Sequence, residues 1–172
     1  SLYRTHGITK DPNLLIQNDG GWYYEMQDLG YNYRITDFQA ALGISQLKRL
    51  DWSIQRRNEI AHKYDESFKG TSIKTPYRAE NITHAFHLYI IQVAADKRKG
   101  LYDFLRANKI FAQVLYIPAH TMPYYKQFGW EKGDMPNAED YYQHCLALPM
   151  YPTLTDEEQE YVIEKVKEFV LS

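Results

Sequence analysis

Between Thr36 and Gly70, apolar side chains return at helical spacing: Leu47, Leu50, Ile54, Ala61, Tyr64 and Phe68. A recurrence every third or fourth residue buries one face of an α-helix. Thr36 opens the stretch, and Asp37 places a negative charge where the helix dipole favours it. Gly70 is a usual left-handed stop. The pattern predicts one long helix over 36–70, interrupted on its apolar side by Arg57 and bent near Asp51-Trp52-Ser53.

Downstream the period changes. His87 to Val93 (HLYIIQV) is rich in β-formers and predicts a buried strand. Asp96 is placed to cap a helix running to about Asn108, with Leu101, Phe104 and Leu105 on one side. Phe111 to Ile117 predicts a second strand that Pro118 terminates. Pro136 suits the first turn of a short helix ending at Cys145, and Ala147-Leu148-Pro149 is briefly extended. Thr155-Asp156-Glu157-Glu158 has the form of a capping box, opening a last helix with Val162, Val166, Phe169 and Val170 inward.

Residues 1–35 carry no sustained period, and Asp11-Pro12 and Asp19-Gly20-Gly21 mark turns. So long an irregular stretch is unusual inside a compact domain. It is expected to be poorly ordered unless another domain or subunit covers its aromatic residues. The organisation is then an irregular arm (1–35), a long linker helix (36–70) and a small domain (71–172). Strands separated by helices predict an α/β class with two layers, a short sheet with helices on one face.

Composition narrows the function classes. Lys plus Arg number 20 against 22 Asp plus Glu, so no basic excess points to nucleic acid. No run approaches the ~18 apolar residues of a membrane span. No secretory layout opens the chain, and Cys145 alone makes no disulfide framework. These features lead us to expect a cytoplasmic protein. The opening at Ser1 rather than Met leads us to expect a piece of something longer. Sixteen tyrosines, several in pairs, suit interfaces and ligand pockets as well as cores.

Common catalytic motifs are absent: there is no Gly-rich phosphate loop, no G-x-S-x-G, no H-E-x-x-H and no C-x-x-C. His84 and His87 invite a metal reading with His120. A spacing of three along an extended chain puts the first two on opposite faces, and no metal is expected. Two places carry candidate chemistry. Asn32 lies just ahead of a helix start, where free N–H groups and the dipole favour a phosphate. Tyr116 to His120 (YIPAH) is a strand end followed by a His-bearing loop. A turn asparagine and an ordinary loop account for the same residues, and the residues by themselves reach no reaction.

The order of LGYNYRITDFQAALGISQLKRLD, FHLYIIQV, LYIPAH with PYY, PNAEDYY and LALPMYPTLT resembles the C-terminal region of the nucleotide-sugar aminotransferases, the DegT/DnrJ/StrS group. WYYEMQDLGYNYR and FHLYI are most similar to its 4-aminotransferases of pseudaminic acid biosynthesis. The resemblance implies the small domain of a fold-type I homodimer that uses pyridoxal 5'-phosphate (PLP). It implies L-glutamate as amino donor and a UDP-linked 4-keto-6-deoxy sugar as acceptor. It places Asn32, with Tyr31 and Arg34 beside it, at the PLP phosphate of a neighbouring subunit. It places His87, Tyr89, Tyr116 and His120 toward the sugar nucleotide. The lysine that carries PLP lies, in the family, upstream of the segment matched by Arg4-Thr5-His6-Gly7, so this chain alone is expected to be inactive. A PLP-dependent sugar dehydratase of the same group, or a stand-alone binding or regulatory domain, would share these features.

Overall fold

The computed structural model describes residues 2–17 and 19–171, and the chain divides into two compact units, residues 1–49 and 50–172. In the first unit a 3-10 turn over Leu2–Thr5 precedes β1 (Ile8–Thr9), which pairs antiparallel with β2 (Glu25–Met26). The loop joining them is gathered by one carboxylate. Glu25 accepts the N–H groups of Ile16 (2.8 Å) and Gln17 (3.0 Å), the Tyr23 hydroxyl (3.1 Å) and the Gln27 amide (2.9 Å). These donors, the Ile16 N–H foremost, hold its carboxyl below the usual range. The arm is therefore hydrogen-bonded within itself, even though Gly7 is its one buried residue among those described.

The helix expected over 36–70 is present as two, α1 (Asp37–Leu47) and α2 (Leu50–Phe68). The Arg49 N–H donates to the Gln46 carbonyl three residues back (3.0 Å), so the four-residue ladder lapses at Lys48–Arg49, ahead of the expected bend. Thr36 caps α1 reciprocally with Gln39: the Gln39 N–H donates to Thr36 Oγ1 (3.3 Å), and the Thr36 N–H donates to Gln39 Oε1 (3.0 Å). No α1 residue is buried; Phe38, Leu42, Ile44 and Leu47 are each more than half exposed. Leu47, expected inward, faces out.

The second unit holds the core. α2 turns inward at Ile60, Ala61, Tyr64 and Phe68. β3 (Tyr89–Gln92) pairs antiparallel with β4 (Cys145–Leu148), Tyr89 opposite Leu148. α3 (Ala95–Ala107), α4 (Pro136–His144) and α5 (Asp156–Leu171) complete the unit, giving the expected mixed α/β class. Leu101, Leu105, Val162 and Val166 pack against Ile91 and Leu146 in one apolar cluster. Thr155 and Glu158 form the expected box at the start of α5 (3.0 and 3.1 Å).

Two expectations change. Phe111–Ile117 forms no strand: Gln113 exchanges both backbone bonds with Ala147 (3.2 and 2.7 Å) and the ladder goes no further. Phe111 is exposed beside the Arg106 guanidinium (5.1 Å), and the Leu115 carbonyl accepts from the Cys145 thiol (3.4 Å). Val114 packs against the core and Ala112 is buried, while Phe111, Tyr116 and Ile117 are exposed and find no backbone partner strand. Asp96 is not a cap either. Ala94 holds that position without a side-chain bond, and Asp96 acts only as a first-turn charge.

Arg57, which broke the apolar stripe, has a structural use. Its Nη1 donates to the carbonyls of Phe86 (2.8 Å) and Met150 (3.0 Å), satisfying backbone acceptors on either side of the sheet segments.

Candidate functional site

The residues singled out from sequence divide between the units: Tyr31, Asn32 and Arg34 in the first, His87, Tyr89, Tyr116 and His120 in the second. Asn32 sits in an irregular segment whose backbone is hydrogen-bonded on both sides of it. The Tyr31 N–H donates to the Tyr3 carbonyl (2.8 Å), the His6 N–H to the Tyr31 carbonyl (2.9 Å), and the Tyr33 N–H to the Arg4 carbonyl (3.2 Å). Gly7 and Gly30 make this approach possible. A Cβ on Gly30 would fall onto the Gly7 backbone, and one on Gly7 onto the Asp28 carbonyl. The Tyr31 and Tyr33 rings stack at 5.0 Å and 11°, flanking Asn32.

All three side chains, Tyr31, Asn32 and Arg34, are exposed. The helix-end part of the phosphate argument changes, however. The capping box occupies the N–H groups of Thr36 and Gln39, and Asp37 adds a carboxylate in the first turn. An anion at this place would be held by side-chain donors, not by the start of α1.

In the second unit His120 is nearly buried, in a 3-10 turn over Ala119–Thr121. Its Nε2 lies 2.8 Å from Glu139 Oε1, with side-chain exposures of 9% and 15%. The same oxygen accepts the Gly133 N–H (2.6 Å). The His120 bond first, then the Gly133 N–H, pull the Glu139 carboxyl below its ordinary range. Glu139 thus fixes the imidazole plane and joins the two ends of the loop between Thr121 and Gly133. Tyr116 is exposed, and so is His87, whose carbonyl lies near Arg57 (3.4 Å).

Tyr89 lies in the core of the second unit. It is fully buried, its ring 4.8 Å from Tyr64, and its hydroxyl donates to Asp65 (2.6 Å), which also pairs with Arg78. Burial raises its hydroxyl above the usual phenol range. A residue with no exposed surface has none to offer a ligand. His84 is taken up in a turn, its Nδ1 accepting the Phe86 N–H (2.9 Å).

Sequence reasoning missed Glu139, nineteen residues from His120 on a separate helix. The available signal was an acid in the first turn of a helix following a His-bearing loop. It also missed Lys126, Trp130 and Lys132, which line a cavity with His120.

Comparison with known proteins gives the frame for these residues. The sequence model of the DegT/DnrJ/EryC1/StrS aminotransferase family matches residues 1–167. The spore coat polysaccharide biosynthesis protein SpsC of Bacillus subtilis is 41% identical over 96% of this chain and 44% of its own length. The UDP-4-amino-4,6-dideoxy-N-acetyl-beta-L-altrosamine transaminase of Campylobacter jejuni is 30% identical over 96% of this chain and 45% of its own. The structure of the sugar aminotransferase Spr1654 from Streptococcus pneumoniae in its PMP form superposes with a TM-score of 0.87 at 30% identity, covering 99% of this chain and 42% of that one. The chain spans less than half the length of these relatives. On the match over residues 1–167, this chain belongs to the DegT/DnrJ/EryC1/StrS aminotransferase family.

Proposed function

We propose that this chain supplies the C-terminal portion of a PLP-dependent aminotransferase, a cytoplasmic homodimer that moves an amino group from L-glutamate to a UDP-linked 4-keto-6-deoxy sugar. Precursors of surface glycans such as pseudaminic acid fit that chemistry. The observation that carries the reading is the family match across residues 1–167, in which relatives named as sugar transaminases align along nearly the whole chain.

The residues present suit the cofactor's phosphate. An exposed amide, a phenol and a guanidinium stand within four positions, at Asn32, Tyr31 and Arg34, on a backbone that the Gly7–Gly30 approach fixes. Charge-assisted donors of this kind favour a phosphate dianion. Asn32 would donate to phosphate oxygens presented by the partner subunit, and Arg34 would add charge beside it. PLP, when bound, supplies the electron sink for amino transfer. In the second unit His120, oriented by Glu139, and the exposed Tyr116 and His87 would meet sugar hydroxyls.

None of the chain's own lysines matches the family's cofactor lysine. Lys63 and Lys165, for example, pair with Glu160 and Glu168 on helix surfaces. The 172-residue chain by itself should give no borohydride-trapped pyridoxyl adduct at a single lysine. The direct test is an amino-transfer assay on the whole gene product, with glutamate and a UDP-4-keto-6-deoxy-N-acetylhexosamine. Formation of 2-oxoglutarate that depends on both substrates supports the reading. A product lacking the sugar's amino group, or no turnover with PLP present, overturns it.

A further inference from the structure

A cavity of about 460 Å³ opens in the second unit where the end of α3 faces the start of α5. Its floor is aliphatic: Ile110, Leu154 and Val162 are each no more than 4% exposed. Its walls are aromatic and partly open, with Phe111, Tyr151 and Tyr161 between 41% and 66% exposed. Lys109 and Glu158, both exposed, supply its charges.

Each part has a local anchor. Lys109 takes φ 62°, a left-handed conformation seldom adopted outside glycine and asparagine, and its N–H returns to the Arg106 carbonyl (3.0 Å). The chain turns there and sends Ile110 into the core, its N–H on the Leu105 carbonyl (2.9 Å). The Arg106 guanidinium lies 5.1 Å from the Phe111 ring centre. The Leu154 N–H closes a turn on the Tyr151 carbonyl (3.0 Å), and the Tyr161 hydroxyl donates to the Asn108 carbonyl (3.3 Å). Glu158 Oε2 accepts the Thr155 N–H (3.0 Å), and Oε1 has no partner among the described residues.

The two charges are not spent on each other. Neither Lys109 nor Glu158 enters an ion pair among the described residues, whereas Asp156, Glu160 and Glu168 of the same helix all do. An ammonium and a carboxylate left unpaired on one apolar cavity complement a ligand that carries both charges. A simple anion would be repelled by Glu158 and a simple cation by Lys109. A neutral hydrocarbon would draw water from both without replacing it. The aliphatic floor and aromatic walls call for a large apolar group between the charges. An α-amino acid brings all three groups together on one carbon.

We propose that this cavity binds a free amino acid with a large apolar side chain. Its carboxylate meets Lys109, its ammonium meets Glu158, and its side chain lies over Ile110, Leu154 and Val162.

The test uses the whole gene product with L-phenylalanine, and with 3-phenylpropionate and 2-phenylethylamine, which lack the ammonium and the carboxylate in turn. Hydrogen exchange read by mass spectrometry locates the binding, and calorimetry gives Kd. L-Phenylalanine should bind with a Kd on the order of 1 mM and protect segments 106–111 and 149–162. Each analogue should bind about fivefold more weakly. Lys109→Gln should weaken L-phenylalanine about fivefold without weakening 2-phenylethylamine. Glu158→Gln, which keeps an acceptor for the Thr155 N–H, should weaken L-phenylalanine alike without weakening 3-phenylpropionate. Phe111→Ala, at an exposed position, should weaken all three. Protection centred elsewhere, 3-phenylpropionate bound as tightly as L-phenylalanine, or unchanged affinity in both charge variants would each overturn the proposal. So would no protection at about ten times the expected Kd, or a crystal structure of the whole protein with another segment seated on Ile110 and Leu154.

Discussion

Replacing Tyr89 by Phe separates a core role from a ligand role at that position. The substitution removes one hydroxyl, which donates to Asp65 at 2.6 Å, and keeps the ring that packs 4.8 Å from Tyr64 and 6.4 Å from Phe86. A hydrogen bond to a charged acceptor contributes about 1.5–3 kcal/mol. Asp65 retains its partner Arg78, and its side chain is 21% exposed, so water can replace part of what is lost. The lower end applies, and we expect a loss of about 1.5 kcal/mol. That corresponds to a fall in Tm of roughly 3–6 °C for a chain of this length. Urea denaturation followed by near-UV circular dichroism measures it, with an unchanged slope expected because the surface exposed on unfolding is the same. A cycle with Asp65→Asn should recover a coupling of about 1 kcal/mol between the two residues. UDP affinity should not change. An unaltered midpoint together with lost UDP binding would refute the reasoning and return Tyr89 to the ligand site.

Arg57→Met should cost about 2 kcal/mol, because the Phe86 and Met150 carbonyls lose a charged donor in a part-buried setting. A neutral urea midpoint would mean that water replaces the guanidinium without loss. Glu25 gives a pH dependence. Its folded carboxyl lies below the ordinary value of 4.5, so the order it confers is complete above that value and is lost as pH falls through the depressed one. Hydrogen-exchange protection of the Ile16 and Gln17 amides should therefore hold at neutral pH and decline only in acid; Glu25→Gln should abolish that acid step, and protection indifferent to acid in the wild type would contradict it. Gly30→Ala should loosen the segment around Asn32, since its Cβ meets the Gly7 backbone, at about 1–3 kcal/mol of overpacking. Unchanged amide shifts from Tyr31 to Tyr33 would argue against that contact.

Much of the fold was legible because its signals are local. The Thr155–Glu158 box, the Pro136 start of α4 and the buried alternation at Tyr89 and Ile91 all act within a few residues. Failures came where distant partners decide. Phe111–Ile117 has strand composition, yet only Gln113 finds a backbone opposite, at Ala147. The Lys48–Arg49 break contains neither Gly nor Pro, so nothing in its composition announces it. Arg57 looked like a flaw in an apolar stripe because the carbonyls it serves lie 29 and 93 residues away. At the candidate site, Asn32 and His120 could be named, but the Glu139 that orients His120 could not.

The most direct test of the central claim is the PLP affinity of the whole gene product with Asn32 changed to Ala, followed by the absorbance of bound cofactor. Losing one charge-assisted phosphate contact should raise the Kd for PLP by about tenfold or more, while the urea midpoint stays put because Asn32 is exposed. PLP held with unchanged affinity by the variant would contradict the account, as would a wild-type protein that binds none.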